Sequence, residues 1–165
     1  IAAVVTECAR PVRAFLCLEK SMSEKDIDVL ARTIWAEARG EGFAGQVAVG
    51  RCIRNRVEAD LGSDGKPDWW GEGYVGVCQA PWQFSCWNKN DPNRPYLTGA
   101  KAIPETEYAR AREAAVTAMT SKDPDPTGGA THYYSTTMAS PPKWTGHPAR
   151  RTTKIGRHIF FKDVP

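Results

Sequence analysis

The chain reads as an α+β domain, with three helical patterns first and two short strand patterns last. Three observations carry this reading. Apolar residues recur at helical spacing from Ile27 to Ala38. A second, largely apolar stretch at 43–57 sets Val49, Ile53 and Val57 on one helical face. Near the end, 130–135 and 154–161 are short β-branched and aromatic runs, expected to pair in a small antiparallel sheet.

Each element has a local reason. Ser23 followed by Asp26 makes a capping box, so the first helix should start there. Ile27, Leu30, Ala31, Ile34, Trp35 and Ala38 form its apolar stripe, and Gly40 and Gly42 stop it. At about 100° per residue, Glu37 falls on the edge of that stripe, roughly 90° from its centre. The helix at 43–57 is expected to lie buried against the first. Residues 60–76, rich in Gly, Asp and Trp without a steady period, read as loop. The third helix spans 104–119, where Pro104 suits an N-terminal turn and Glu105 and Glu107 suit the dipole. Residues 121–129 have turn chemistry, and 3–18 read as a short helix interrupted at Pro11.

Length and composition bound the function. At 165 residues the chain is large enough for one domain with a real core. A net charge of +3 does not point to nucleic acid. The tail is more basic: Lys143, Arg150, Arg151, Lys154, Arg157 and Lys162 face only Asp163, which suits either an anionic polymer such as a bacterial envelope or an ordinary solvated surface. No apolar run has the length of a membrane span, and residues 1–5 are too short for a signal core. A chain opening without methionine is expected to have been processed or truncated. Of five cysteines, Cys8, Cys17, Cys52, Cys78 and Cys86, the last two flank a short irregular stretch and are candidates for a bridge in an oxidising compartment.

Four constellations are candidates for chemistry. Glu37 sits at the rim of an apolar face with Glu41 just beyond; burial and a like charge both raise a carboxyl pKa, as an acid catalyst near neutral pH requires. Residues 81–88, with Trp82, Gln83, Phe84, Ser85, Trp87 and Asn88, mix faces that stack on sugars with groups that bond hydroxyls; they equally suit an aromatic plug in the core. In 131–135, strand alternation sends His132 and Tyr134 to one face and Tyr133 to the other, and one of these faces would line a groove. His132, His147 and His158 lack the close spacing of zinc motifs, so neither metal nor cofactor is expected. Cys78 or Cys86 paired with His132 is a conceivable nucleophile, but nothing in the sequence marks either thiol as activated.

Taken in order, these segments resemble the spore-cortex-lytic, SleB-like cell-wall hydrolases. The resemblance runs over residues 30–161 and rests on Trp35-Ala36-Glu37-Ala38-Arg39-Gly40-Glu41, Gly45-Gln46-Val47-Ala48-Val49, Asn55-Arg56-Val57, Gln83-Phe84-Ser85, Gly129-Ala130-Thr131-His132-Tyr133-Tyr134, Pro142-Lys143-Trp144 and Ile155-Gly156-Arg157-His158-Ile159-Phe160-Phe161. It implies a lysozyme-like helical core with a small antiparallel sheet, residues 1–22 being an extension and 23–165 the catalytic domain. It also implies cleavage of peptidoglycan glycan strands between N-acetylmuramic acid and N-acetylglucosamine by lytic transglycosylation. Carried onto this chain, the catalytic residue is Glu37. Glu41, Gln83, Ser85, His132 and Tyr134 are the expected substrate-binding residues, and Asn55 and Arg56 tie loops beneath the site.

Other expectations compete. A muramidase would add Glu41, Asp60 or Glu72 as a second carboxylate. An amidase would use a metal or a cysteine, and a wall-binding module would keep the scaffold without turnover. No peptidoglycan-binding repeat is attached, so targeting falls to the catalytic domain, to sequence outside the chain, or to a virion or envelope partner. Phage deployment is as consistent with these residues as a cellular enzyme. The expected place of action is the bacterial cell wall, in the periplasm or outside the cell, without stable membrane insertion.

Overall fold

The computed structural model describes residues 22–59, 65, 66 and 68–165. The sequence readings that fall on 3–18, Cys8, Cys17 and Asp60 lie outside them.

Helix α1 (Glu24–Ala38) begins at the capping box: Ser23 Oγ accepts the Asp26 N–H at 3.0 Å, and Asp26 Oδ2 accepts the Ser23 N–H at 3.4 Å. Its expected stripe is buried from Ile27 to Ala38. After Gly42 the chain enters α2 (Phe43–Glu58); short helices α3 (Gly73–Gln79) and α4 (Arg94–Leu97) follow, and then α5 (Glu105–Thr120).

Helices α1, α2 and α5 make the core. Ala111, Ala114, Ala115 and Ala118 give α5 a nearly flat face, and Gly50 of α2 presses into it so closely that a Cβ there would crowd Ala118 and Ile34. Small side chains thus set the helix spacing, and the larger Leu30, Ile34, Val49 and Ile53 fill the layers between. Trp35 Nε1 donates to Glu107 Oε2 at 2.6 Å and links α1 to the first turn of α5.

The sheet has three antiparallel strands, β1 (His132–Ser135), β2 (Arg150–Ile155) and β3 (His158–Lys162), in the order β1-β3-β2. His132 lies opposite Phe161 and Ser135 opposite His158. Phe160 and Ala130 pack on Ala48 and Cys52 of α2, which fixes the sheet against the helices. Asn55 Nδ2 donates to Asp125 Oδ2 and to the Ala130 carbonyl, both at 2.8 Å, while Arg56 donates to the Thr131 carbonyl at 2.5 Å. These are the expected loop ties, and they set the approach of β1 to the end of α1.

The structure departs from the sequence reading at three places. Residues 154–161 are not one strand: Gly156 takes φ +57° and turns the chain, so they form the meeting ends of the β2–β3 hairpin. The stretch read as loop to residue 76 already contains the start of α3, a helix too short to show a period. Cys78 and Cys86 are free, buried thiols rather than a bridge, as is Cys52.

Candidate active site

Glu37 is the penultimate residue of α1, on the edge of the buried stripe, where the helix ends against β1. The Tyr133 hydroxyl donates to its Oε2 at 3.1 Å, and the Cys86 thiol also bonds the carboxyl. Burial is the largest influence on its titration and pushes the pKa up. Hydrogen bonds from Cys86 and Tyr133 pull it down, and the charge of Asp91 adds to the rise. The net direction is upward, so this carboxyl keeps its proton to higher pH than a solvated glutamate. The like charge expected from Glu41 is instead that of Asp91, on the turn before α4.

Glu41 has the opposite character. Its Oε1 accepts from Arg157 Nε at 2.6 Å and its Oε2 from the Arg157 backbone N–H at 3.1 Å. Burial alone would raise its pKa, but the two Arg157 bonds, with the charges of His158 and Arg157, outweigh it and hold the group below its usual value. The seat exists because Gly156 has no side chain; a Cβ there would fall on Glu41 Oε2. Glu41 therefore clamps the end of α1 to the β2–β3 turn.

Between these carboxyls opens a cleft of about 440 Å³. Glu37 and Tyr133 meet in it. Glu41, Arg157 and His158 come from the helix end and hairpin, and Tyr134, Ser135, Met138 and Trp144 from β1 and the loop after it. One protonatable carboxyl beside one ion-paired carboxylate, in a groove with aromatic walls, is an arrangement suited to general acid–base chemistry.

Of the sequence-predicted site residues, the structure brings Glu37, Glu41 and Tyr134 to the cleft. The lining does not include Gln83, Ser85 or His132. Gln83 Oε1 accepts from Arg56 Nη1 at 2.8 Å, which makes it part of the loop ties. Ser85 is exposed at the start of a 3₁₀ turn whose next residue, Cys86, reaches Glu37. His132 is buried among Trp69, Trp70 and Trp144, with ring centroids 6.4, 6.1 and 5.3 Å away. Burial, helped by the Arg56 charge, pushes its pKa down to about 4, so its imidazole is neutral near pH 7. Sequence reasoning did not name Tyr133 as a site residue, although strand alternation already set it opposite His132 and Tyr134; it is the Tyr133 side chain that meets the Glu37 carboxyl. Cys86 and Arg157 stood out in the sequence for other reasons and Asp91 not at all; their contacts with Glu37 and Glu41 were not legible because each spans residues distant along the chain.

The segment at 81–88 divides between its two readings. Phe84 and Cys86 are core, Trp87 Nε1 donates to Thr33 Oγ1 at 3.0 Å, and Trp82 is largely exposed. Glu72 accepts the Asp68 N–H at 2.9 Å and stands outside the cleft lining. A cysteine nucleophile has no thiolate to use: burial pushes Cys52 and Cys78 up to about 12, and Cys86 is driven upward by burial and by Glu37. Among the described residues no three His, Cys, Asp or Glu groups cluster as metal ligands, and no helix is long and apolar enough to cross a membrane.

A mostly helical domain with a small three-stranded antiparallel sheet and a groove lined by two carboxyls is the architecture of a cell-wall hydrolase domain. Residues 40–161 match the Cell Wall Hydrolase family model, and the chain belongs to that family. It is 33% identical over 138 residues to the spore cortex-lytic enzyme of Halalkalibacterium halodurans, covering 84% of this chain and 35% of the relative. It is 30% identical to that of Bacillus subtilis, covering 84% and 38%. The chain thus spans little more than a third of the length of these relatives. Among solved structures it is similar to the catalytic domain of the Bacillus cereus SleB protein (29% identity, TM-score 0.60, 86% of this chain and 93% of that one). It is similar also to the catalytic domain of the germination-specific lytic transglycosylase SleB from Bacillus anthracis (32%, TM-score 0.61, 86% and 98%). The lysozyme-like core and small sheet expected from sequence correspond to these catalytic-domain structures. The relatives are proteins of bacteria, and they lend no support to phage origin or to a virion partner.

Proposed function

We propose that residues 23–165 form a catalytic domain that cleaves peptidoglycan glycan strands by lytic transglycosylation, with Glu37 as the single acid–base. The observation that carries this reading is the unequal state of the two cleft carboxyls: burial raises the Glu37 pKa, while both oxygens of Glu41 are engaged by Arg157. Glu37 gives its proton to the glycosidic oxygen between N-acetylmuramic acid and N-acetylglucosamine as the C1–O bond breaks and C1 gains oxocarbenium character. The now ionised Glu37 takes the proton of the muramoyl C6 hydroxyl, whose oxygen bonds to C1. The products are a free N-acetylglucosamine end and a 1,6-anhydro-muramoyl end, and the carboxyl is protonated again.

An intramolecular hydroxyl replaces the water that a second carboxylate would activate in a hydrolase, and its proximity is an advantage in itself. The Tyr133 bond fixes the carboxyl's orientation and stabilises its ionised form between the two proton transfers. The names of the relatives support the substrate class, cell-wall or cortex peptidoglycan. Tyr134 is the retained substrate-binding candidate from β1, while Glu41 shapes the wall.

The test is digestion of purified sacculi by wild type and Glu37→Gln, followed by mass analysis of the soluble fragments. The expected result is muropeptides one water lighter than hydrolysis products, and a rate loss in the variant of at least about 10²–10⁴-fold. Reducing ends would transfer the reading to a muramidase, and full activity in Glu37→Gln would end both.

A further inference from the structure

The turn before α3 buries one of its two tryptophans and leaves the other exposed. Trp70 is 2% exposed and packs in the core beneath the Arg56 guanidinium, 5.6 Å from its ring centroid. Trp69 next to it is 60% exposed. The turn that separates them is tightly built: Gly71 donates its N–H to the Asp68 carbonyl at 2.9 Å, and its backbone lies so close to Gly76 of α3 that a Cβ would collide there. A buried anchor and a constrained turn thus hold a large apolar ring at a defined place on the surface.

Trp69 also belongs to a continuous run of rings that ends in the cleft. It lies 5.3 Å from Trp70 and 6.4 Å from His132; His132 lies 5.3 Å from Trp144; and Trp144 meets Tyr134 edge-on at 6.3 Å. Trp144 and Tyr134 line the cleft that holds Glu37, and Trp69 is outside it. From this juxtaposition we infer that Trp69 is an accessory carbohydrate-binding platform, which holds the glycan strand beyond the cleft on the side of Trp144. The inference rests on the glycan-cleaving reading above.

The chemistry favours a sugar over other occupants. Aromatic faces bind the apolar C–H faces of pyranose rings; the imidazole within the run is neutral near pH 7, and the neighbouring Arg56 guanidinium is already engaged by the Thr131 carbonyl and Gln83 Oε1. The run from Trp144 through His132 to Trp69 marks the direction in which a strand leaving the cleft would meet the exposed indole.

The experiment measures co-sedimentation with purified sacculi in the non-cleaving Glu37→Gln protein, with and without Trp69→Ala. The apparent dissociation constant is expected to rise about 3–10-fold on loss of the indole, the scale of one aromatic contact, and Trp69→Phe should restore part of it. In the otherwise wild-type enzyme, Trp69→Ala should lower kcat/KM toward long strands more than toward a short soluble oligomer. Thermal melting of Trp69→Ala within a degree or two of the parent excludes loss through unfolding. Unchanged sedimentation, or an equal loss on long and short substrates, would overturn the platform while leaving the Glu37 reading intact. A Glu37→Gln protein that still cleaved would overturn the mechanism alone, because the comparison of long and short substrates is read on Trp69→Ala in the otherwise wild-type enzyme and decides the platform by itself.

Discussion

Gly156→Ala tests whether Glu41 is a clamp. The residue sits at φ +57°, where a Cβ costs about 1–2 kcal/mol by itself. Here the new methyl would also fall on Glu41 Oε2 and drive the carboxylate from its seat. Two bonds are then lost: that from the Arg157 N–H at 3.1 Å, worth about 1.5 kcal/mol as a bond to a charged acceptor, and the Arg157 Nε ion pair at 2.6 Å, worth roughly 0.5–1 kcal/mol because the arginine is half exposed. The expected destabilisation is therefore about 3–4.5 kcal/mol, read as a fall in the urea midpoint at unchanged m-value. Gly99→Ala supplies the control: φ is +81°, but no atom lies within 4 Å of its added Cβ, so only the backbone cost of about 1–2 kcal/mol should appear. In a Glu41→Ala background the cost of Gly156→Ala should drop to the same value, since the carboxylate it displaces is gone. Equal costs for Gly156→Ala and Gly99→Ala in the parent, or no coupling to Glu41, would refute the clamp.

Two further outcomes follow from the Glu37 environment. Its folded pKa is raised, so between the unfolded value and the folded one the native state holds more protons than the unfolded chain, and stability falls as pH rises through that window. Glu37→Gln removes the loss: the variant should melt close to wild type at low pH and above it at neutral pH, by about 1.4 kcal/mol for each unit separating the two pKa values. Thermal melts across the pH range check this, and a variant less stable at pH 7 would contradict the burial argument. Tyr133→Phe deletes a hydrogen bond that favours the ionised carboxyl, so the Glu37 pKa should rise further. The alkaline limb of kcat/KM should then move to higher pH while kcat falls. An unmoved limb with lowered kcat would assign Tyr133 a packing role alone.

Much of this domain was written in local chemistry. The Ser23–Asp26 capping box, the stripe from Ile27 to Ala38 and the glycines after it determined α1 and left Glu37 on its buried edge, because a helix period converts spacing directly into direction. Alternation in 132–135 likewise assigned opposite faces to Tyr133 and Tyr134. Tertiary packing decided the rest, since a carboxyl's proton affinity depends on whatever surrounds it in space. Cys86, Tyr133 and Asp91 reach Glu37 from three separate segments, and Arg157 reaches Glu41 across more than a hundred residues. Two glutamates four residues apart thus came to differ: burial raises the proton affinity of the first, and a guanidinium beside a glycine turn pairs with the second.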